Sequence, residues 1–263
     1  MTQNTQSRIL LVIPTLGQRP DYLRQTLDSI KSQQGVIYDI VMIFPLDNEE
    51  TMQLAHEVNA IIVDDPGGIS AAVNAGIAQA QPRHEFIGWI GDDDLLATDS
   101  LKTAIEVLDQ TSDAVLAFGF CDYIDDRGEK LFTNRAGNWA PWLMTWGPNL
   151  VPCPGTVFRK SALDKAGEFD VENKYCMDLD MLLRLRKLGK FVNTKRTMAS
   201  FRWHSTSTTV VNRVKLLKEV KQVKRKHLSP VLRKFAPIWE PPVSIATTFA
   251  AKSVNRKAQK LKK

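Results

Sequence analysis

Short aliphatic runs alternate with stretches of helical spacing over the first half of the chain. Arg8–Ile13, Ile37–Phe44, Ala60–Val63, Phe86–Ile90 and Ala114–Phe118 are rich in β-branched, Leu and Phe residues and are bounded by turn formers, the pattern of buried strands. Between them the apolar positions recur at helical intervals. Asp21–Ser32 puts Leu23, Leu27 and Ile30 on one face behind Pro20, a residue suited to a helix entry. Ile69–Ala80 puts Ile69, Val73 and Ile77 on one face among Ala and Gly small enough for close approach to a sheet, and Ser100–Asp109 forms a third helix. This alternation predicts an α/β fold with a mostly parallel central sheet flanked by helices. Such sheets bind ligands beyond the carboxyl ends of their strands.

The pattern changes after about residue 118. Asn134–Pro154 has little periodicity but holds Trp139, Trp142 and Trp146 with several prolines, the composition of a functional irregular segment. Asp178–Leu188 returns to helical spacing, with Met181, Leu182, Leu185 and Leu188 on one side, and a strand-like Phe191–Asn193 and the segment Ala199–Thr209 follow. From Arg213 onward the chain is first helical, then broken by prolines.

Charge separates these regions. The net charge of +6 comes from a C-terminal stretch, residues 213–263, where 15 Lys and Arg face only Glu219 and Glu240; residues 1–212 are net acidic. A nucleic-acid protein carries its basic stripe on the folded body, so no nucleic-acid partner is expected. An anionic lipid surface is the leading expectation for the tail, with a solvated tail or an acidic partner as the competitors. Hydrophobic residues at 43% and charged residues at 24% suit a soluble globular chain. No apolar run is long enough for a membrane-spanning helix, and the N-terminal apolar stretch is too short for a leader. Cys121, Cys153 and Cys176 have no metal-type spacing and are odd in number, which points to a reducing, cytoplasmic setting.

Three places could carry chemistry. Asp92, Asp93 and Asp94 follow an apolar strand, and their mutual repulsion would be relieved by a hard divalent cation itself bound to a diphosphate; a solvated turn and helix cap is the plainer alternative. Asp178 falls on the inner side of its helix, either as a general base or as a capping carboxylate, whereas Asp180 falls opposite, as half of an exposed pair with Arg184. His204 lies between aromatic and hydroxyl residues, as a ligand or as a structural histidine, while His56 and His227 read as surface residues.

Together these segments resemble the family 2 glycosyltransferases, bacterial polysaccharide- or glycan-assembling enzymes that invert the transferred sugar. The resemblance runs over roughly residues 8–210: Ile9–Thr15, Gly68–Ile77 with Asp65 upstream, Gly91–Asp94, Gly167–Asp170 with Asp178–Asp180, and Phe201–His204. It implies an A-type nucleotide-sugar fold, with a donor half to about residue 118 and an acceptor half from 119 to 212. It implies a hexosyltransferase using Mn²⁺ or Mg²⁺ held by Asp94 and His204, with Pro14, Thr15, Asp47, Asp65, Asn74, Asp92 and Asp93 on the donor. The donor expected is a UDP- or dTDP-type sugar and the acceptor a glycan or lipid-linked hydroxyl, on an enzyme that is cytoplasmic or peripheral to the inner face of the membrane. Asp178 would be the catalytic base, and the three tryptophans would offer faces to acceptor sugars. Departures exist at Pro45–Asp47 and at Cys153-Pro154, where many relatives have other residues, and they leave open a degenerate member that only binds a glycan or partner.

Overall fold

The computed structural model describes residues 7–203, 213–236, 238 and 240. The chain runs through β1 (Ile9–Pro14), α1 (Pro20–Lys31), β2 (Tyr38–Phe44), α2 (Glu49–Glu57), β3 (Ile61–Asp64), α3 (Ile69–Ile77), β4 (Phe86–Trp89), β5 (Leu95–Leu96) and α4 (Ser100–Gln110). It continues through β6 (Ala114–Ile124), β7 (Lys130–Asn134), α5 (Ala140–Leu143), β8 (Val157–Arg159), α6 (Lys160–Ala166), α7 (Met177–Leu185) and β9 (Lys190–Arg202). Two further helices are α8 (Arg213–His227) and α9 (Pro230–Lys234). Among the described residues no helix is long and apolar enough to cross a membrane.

One sheet holds every strand among the described residues, in the order β3-β2-β1-β4-β8-β6-β9-β5, with β7 on the far part of β6. The first four strands are parallel, as the alternating pattern predicts: β1 pairs in parallel with both β2 and β4, and β2 with β3. Side chains alternate across a strand, so β1 feeds two cores. Leu10 and Val12 pack with Val41, Ile43 and the α3 and α7 residues on one face. Ile9, Leu11 and Ile13 pack with Ile40, Met42, α1, α2 and α4 on the other. Gly76 lets α3 lie close on this sheet, since a Cβ there would sit 2.4 Å from a Val12 methyl and 2.8 Å from Ile43.

Beyond β4 the sheet is mixed, because β8 runs antiparallel to both β4 and β6. Here the sequence pattern understates the strands. β6 continues through Gly119 to Ile124, and the glycine is a close approach rather than a stop: a Cβ there would lie 2.4 Å from the Arg196 carbonyl oxygen. Phe191–Asn193 and the start of Ala199–Thr209 join into one strand, β9, in which Lys195 takes a positive φ where the register with β6 shifts between Phe118 and Phe120. The helix predicted to Leu188 closes at Leu185, and Leu188 is 44% exposed. α2 is a helix that apolar spacing leaves inconspicuous; Asn48 caps it by accepting the Thr51 N–H at 2.9 Å.

Candidate active site

Parallel pairing of β1 and β4, with Val12 opposite Trp89, brings their carboxyl ends side by side. The chain leaving β1 supplies Thr15 and Arg19, and the chain leaving β4 supplies Asp92, Asp93 and Asp94. Thr15 Oγ1 donates to Asp92 Oδ2 at 2.5 Å and accepts the Gly17 N–H at 2.9 Å. The Arg19 guanidinium spans two carboxylates, 2.6 Å from Asp92 Oδ1 and 2.5 Å from Asp93 Oδ2. Asp92 and Asp94 are buried. Burial raises the Asp92 carboxyl above its ordinary range despite the Thr15 bond and the Arg19 charge. Burial, together with the neighbouring Asp93 charge, raises Asp94 well above it. This is not a solvated turn: it is a concentration of acidity at a strand end, with one cation already drawn onto it.

The floor beneath the aspartates is Arg202, at the end of β9 and only 1% exposed. Its N–H donates to Asp94 Oδ1 at 3.0 Å and its Nε to the Asp93 carbonyl at 3.0 Å. The other guanidinium nitrogens reach the Asp125 and Asp126 carbonyls at 3.3 Å and Gln25 Oε1 at 2.8 Å, over the Tyr22 ring at 4.3 Å. Asp94 also anchors α1, since its carbonyl accepts the Thr26 hydroxyl at 2.8 Å.

The other expected donor residues spread around the same strand ends. Pro14 closes β1 in the core, and Asp47 lies exposed in the turn after β2. Asp65 follows β3 and folds onto its own loop, accepting the Gly67 N–H at 3.1 Å. Asn74 gives both ends of its amide to the Phe169 backbone, donating to its carbonyl at 2.8 Å and accepting its N–H at 2.9 Å. It therefore clamps α3 to the segment leading into α7. His204 lies outside the described residues, and among those described no three His, Cys, Asp or Glu side chains converge into a ready metal cage.

Asp178 stands in the first turn of α7, half-buried, with Asn149 Nδ2 at 3.5 Å from its Oδ2. Burial raises its carboxyl above the ordinary range, and the Glu219 charge adds to that. The Cys153 thiol feels both acidic centres: burial pushes it well up, and the charges of Asp178 and Asp94 both push it further.

Two expectations are corrected where α7 meets α8. Asp180 is not an exposed ion-pair partner but fully buried, 2.9 Å from Arg184 Nε and 2.7 Å from His227 Nε2. Its burial alone would raise the carboxyl, yet the His227 bond and the Arg184 charge hold it below the ordinary value. His227 is correspondingly not a surface residue; its side chain is 8% exposed. The helical wheel failed because it assigned one buried stripe, whereas α7 is covered on a second side by α8.

The tryptophans divide. Trp139 and Trp142 are 54% and 60% exposed, and Trp146 is half-buried. Trp142 lines an open groove of about 470 Å³ with Arg186 and Lys190, at the carboxyl end of α7. Seven residues of helix, about 10 Å, separate that end from Asp178.

Sequence reasoning passed over Arg19, Asn149, Arg202 and Glu219. Arg202 stood inside a recognised segment, but nothing in Phe201–Trp203 marks the arginine as buried. Arg19 sits in a Gly17–Pro20 turn after β1, the position from which a cation would face the sheet end.

Comparison with known proteins accords with this arrangement. The sequence is similar to an uncharacterized glycosyltransferase of Rickettsia typhi, 23% identical over 226 residues, which make up 80% of this chain and 68% of the relative. The fold is similar to S. aureus TarS in complex with UDP, with a TM-score of 0.62 at 14% identity over 88% of this chain and 72% of that one. It is also similar to the mannosyltransferase PcManGT from Pyrobaculum calidifontis in complex with GDP-Man and Mn²⁺, with a TM-score of 0.66 at 14% identity over 96% of this chain and 74% of that one. At such identities the likeness establishes the fold, the A-type glycosyltransferase architecture. The Glycosyl transferase family 2 model matches residues 10–165, more than half of the chain, and the protein belongs to that family of glycosyltransferases.

Proposed function

We propose that this protein transfers a sugar from a nucleoside-diphosphate donor to an acceptor hydroxyl with inversion at the anomeric carbon. The observation that carries the reading is the buried acidic cluster at the carboxyl end of β4, where Arg19 and Thr15 converge on Asp92 and Asp93, together with the half-buried Asp178 in the first turn of α7. Inversion asks for a base on the face opposite the leaving group, the role this reading gives to Asp178.

The nucleoside would lie against Pro14, Thr15, Asp47 and Asp65, braced by Asn74, and the diphosphate would lie over Asp92–Asp94. The donor set fits Mn²⁺ or Mg²⁺: hard carboxylate oxygens, buried, crowded by like charge, and already attracting the Arg19 guanidinium. Asp94, with His204, would hold the ion, and bound there it would neutralise charge on the departing diphosphate. Arg19, paired with Asp92 and Asp93, would exchange these carboxylates for the donor phosphates. Asp178 takes the proton of the attacking hydroxyl, and Asn149 steadies its carboxylate. A UDP- or dTDP-type donor and a glycan or lipid-linked acceptor in polysaccharide or glycoconjugate synthesis complete the reading.

Thermal unfolding of the full chain with UDP, dTDP, GDP, UDP-GlcNAc or GDP-mannose, with and without Mn²⁺, tests this. A bound nucleotide at a hundredfold excess over its dissociation constant adds about 2.7 kcal/mol to apparent stability. We expect a Mn²⁺-dependent rise with a nucleoside diphosphate or its sugar; no rise with any of them would defeat the donor assignment.

We also propose a peripheral association with anionic membrane surface. Leu217, Phe235 and Ile238 are 55%, 51% and 73% exposed on the same C-terminal elements as Lys215, Lys218, Arg233 and Lys234. Each basic residue near such a surface contributes about 1 kcal/mol. Vesicles containing phosphatidylserine should sediment the protein at low salt and release it at high salt; equal sedimentation with neutral vesicles would oppose the idea.

A further inference from the structure

The first turn of α7 carries the proposed base, yet the helix does not close its own amino end. Cys176, at the N-cap position, makes no side-chain capping bond. A helix start leaves several backbone N–H groups without partners; that of the N-cap Cys176, with those of the two residues leading to it, is met from elsewhere. The carboxylate of Glu219, on α8, accepts the N–H groups of Lys174 at 3.1 Å, Tyr175 at 2.7 Å and Cys176 at 2.9 Å. Three charge-assisted bonds from one side chain gather the strand of backbone that leads directly into Asp178.

The rest of α8 fastens the same helix and its approach. His227 bonds Asp180, Lys226 reaches Asp170 at 3.0 Å, and Lys224 donates to the Gly147 carbonyl in the segment leading to Asn149. Val223 is buried in the core that α7 lines, with Leu216 and Val220 packed against it. These contacts surround Asp178 on its chain neighbours, at residues 174–176, at residue 180 and behind Asn149.

We propose that α8 is a latch on the catalytic helix and that Glu219 is a positioning residue, holding the first turn of α7 and hence the Asp178 carboxyl in place. The inference rests on the reading of Asp178 as the base. The charged group facing Asp178 is Glu219 itself; Asn149, Cys153 and Cys176 face it as uncharged groups, the two thiols being pushed far up by burial. Glu219 therefore has a second effect through space: its negative charge keeps Asp178 more basic.

The test uses the full chain with the E219A, E219Q and D178N variants. Release of nucleoside diphosphate from UDP-GlcNAc or GDP-mannose, with water as acceptor, is read beside hydrogen exchange of the 174–176 amides. Loss of a helix cap of ordinary strength gives about tenfold faster exchange of those amides in E219A. Turnover should fall at least about tenfold with the donor KM unchanged, as for a group acting through the base. Gln keeps an acceptor oxygen, so E219Q should restore most of the exchange protection, while the acid limb of its pH profile moves to lower pH because a nearby negative charge is gone. Unchanged exchange in E219A overturns the latch, and faster exchange with unchanged turnover reduces it to packing and overturns the positioning role. If D178N itself keeps full turnover, the base assignment fails, and the exchange result still decides whether α8 holds α7.

Discussion

Asp178→Asn should leave donor binding intact and cut turnover about 10²–10⁴-fold, the range for removal of a general base. The substitution keeps the shape of the side chain and its contact with Asn149 Nδ2, but an amide cannot accept the proton of an attacking hydroxyl. The same carboxyl sets the pH dependence. Its value in the folded protein lies above the ordinary carboxylate value of 3.8, because burial and the Glu219 charge disfavour its ionised form. Protonated, it cannot act as a base, so turnover should fall as pH drops through that raised value, and the acid limb should stand above pH 3.8. Thermal stabilisation by the donor, measured on the same variant, separates chemistry from binding. A variant with wild-type turnover, or with lost donor stabilisation, would take the base role away from Asp178.

Arg202→Met should cost about 3–5 kcal/mol of stability, the range for breaking a buried charged network by removing one partner. The guanidinium satisfies carbonyls of Asp93, Asp125 and Asp126 and the Gln25 side chain, in a site with almost no access to water. Methionine fills much of the volume and leaves those oxygens unpaired. Arg202→Lys should rescue little, since an ammonium cannot span the fan of acceptors that a planar guanidinium reaches. Urea unfolding at constant slope gives the change, and donor binding should decline with it because Arg202 supports the backbone of Asp93 and Asp94. A loss below about 1 kcal/mol, within the range of an ordinary surface change, would mean that the aspartate loop holds its shape without this residue.

The two predictions fall on opposite sides of what could be read from residues in order. Asp178 was visible because its helix has a clear apolar stripe and the segment resembles a family motif. Arg202 was invisible because burial of an arginine depends on partners 76, 77, 109 and 177 residues away in the chain. The difference between α7 as expected and as found has the same origin. Met181, Leu182 and Leu185 are buried as their spacing implies, but Asp180 is buried as well, because a helix from beyond residue 212 covers that side.

The sequence by itself determined the α/β class, the parallel pairing of the first four strands and the place of the acidic cluster, since each rests on local periodicity and on residues adjacent in the chain. Alternating apolar residues in β1 commit both faces of the sheet to cores, and the carboxyl end of a buried strand is where a following Asp92–Asp94 must emerge. Only the tertiary structure decided that Thr15 and Arg19 meet those carboxylates, that Arg202 lies buried beneath them, and that Glu219 gathers the backbone leading into α7. Those are pairings between distant segments, and their energies come from burial and direction, quantities that a linear pattern does not carry.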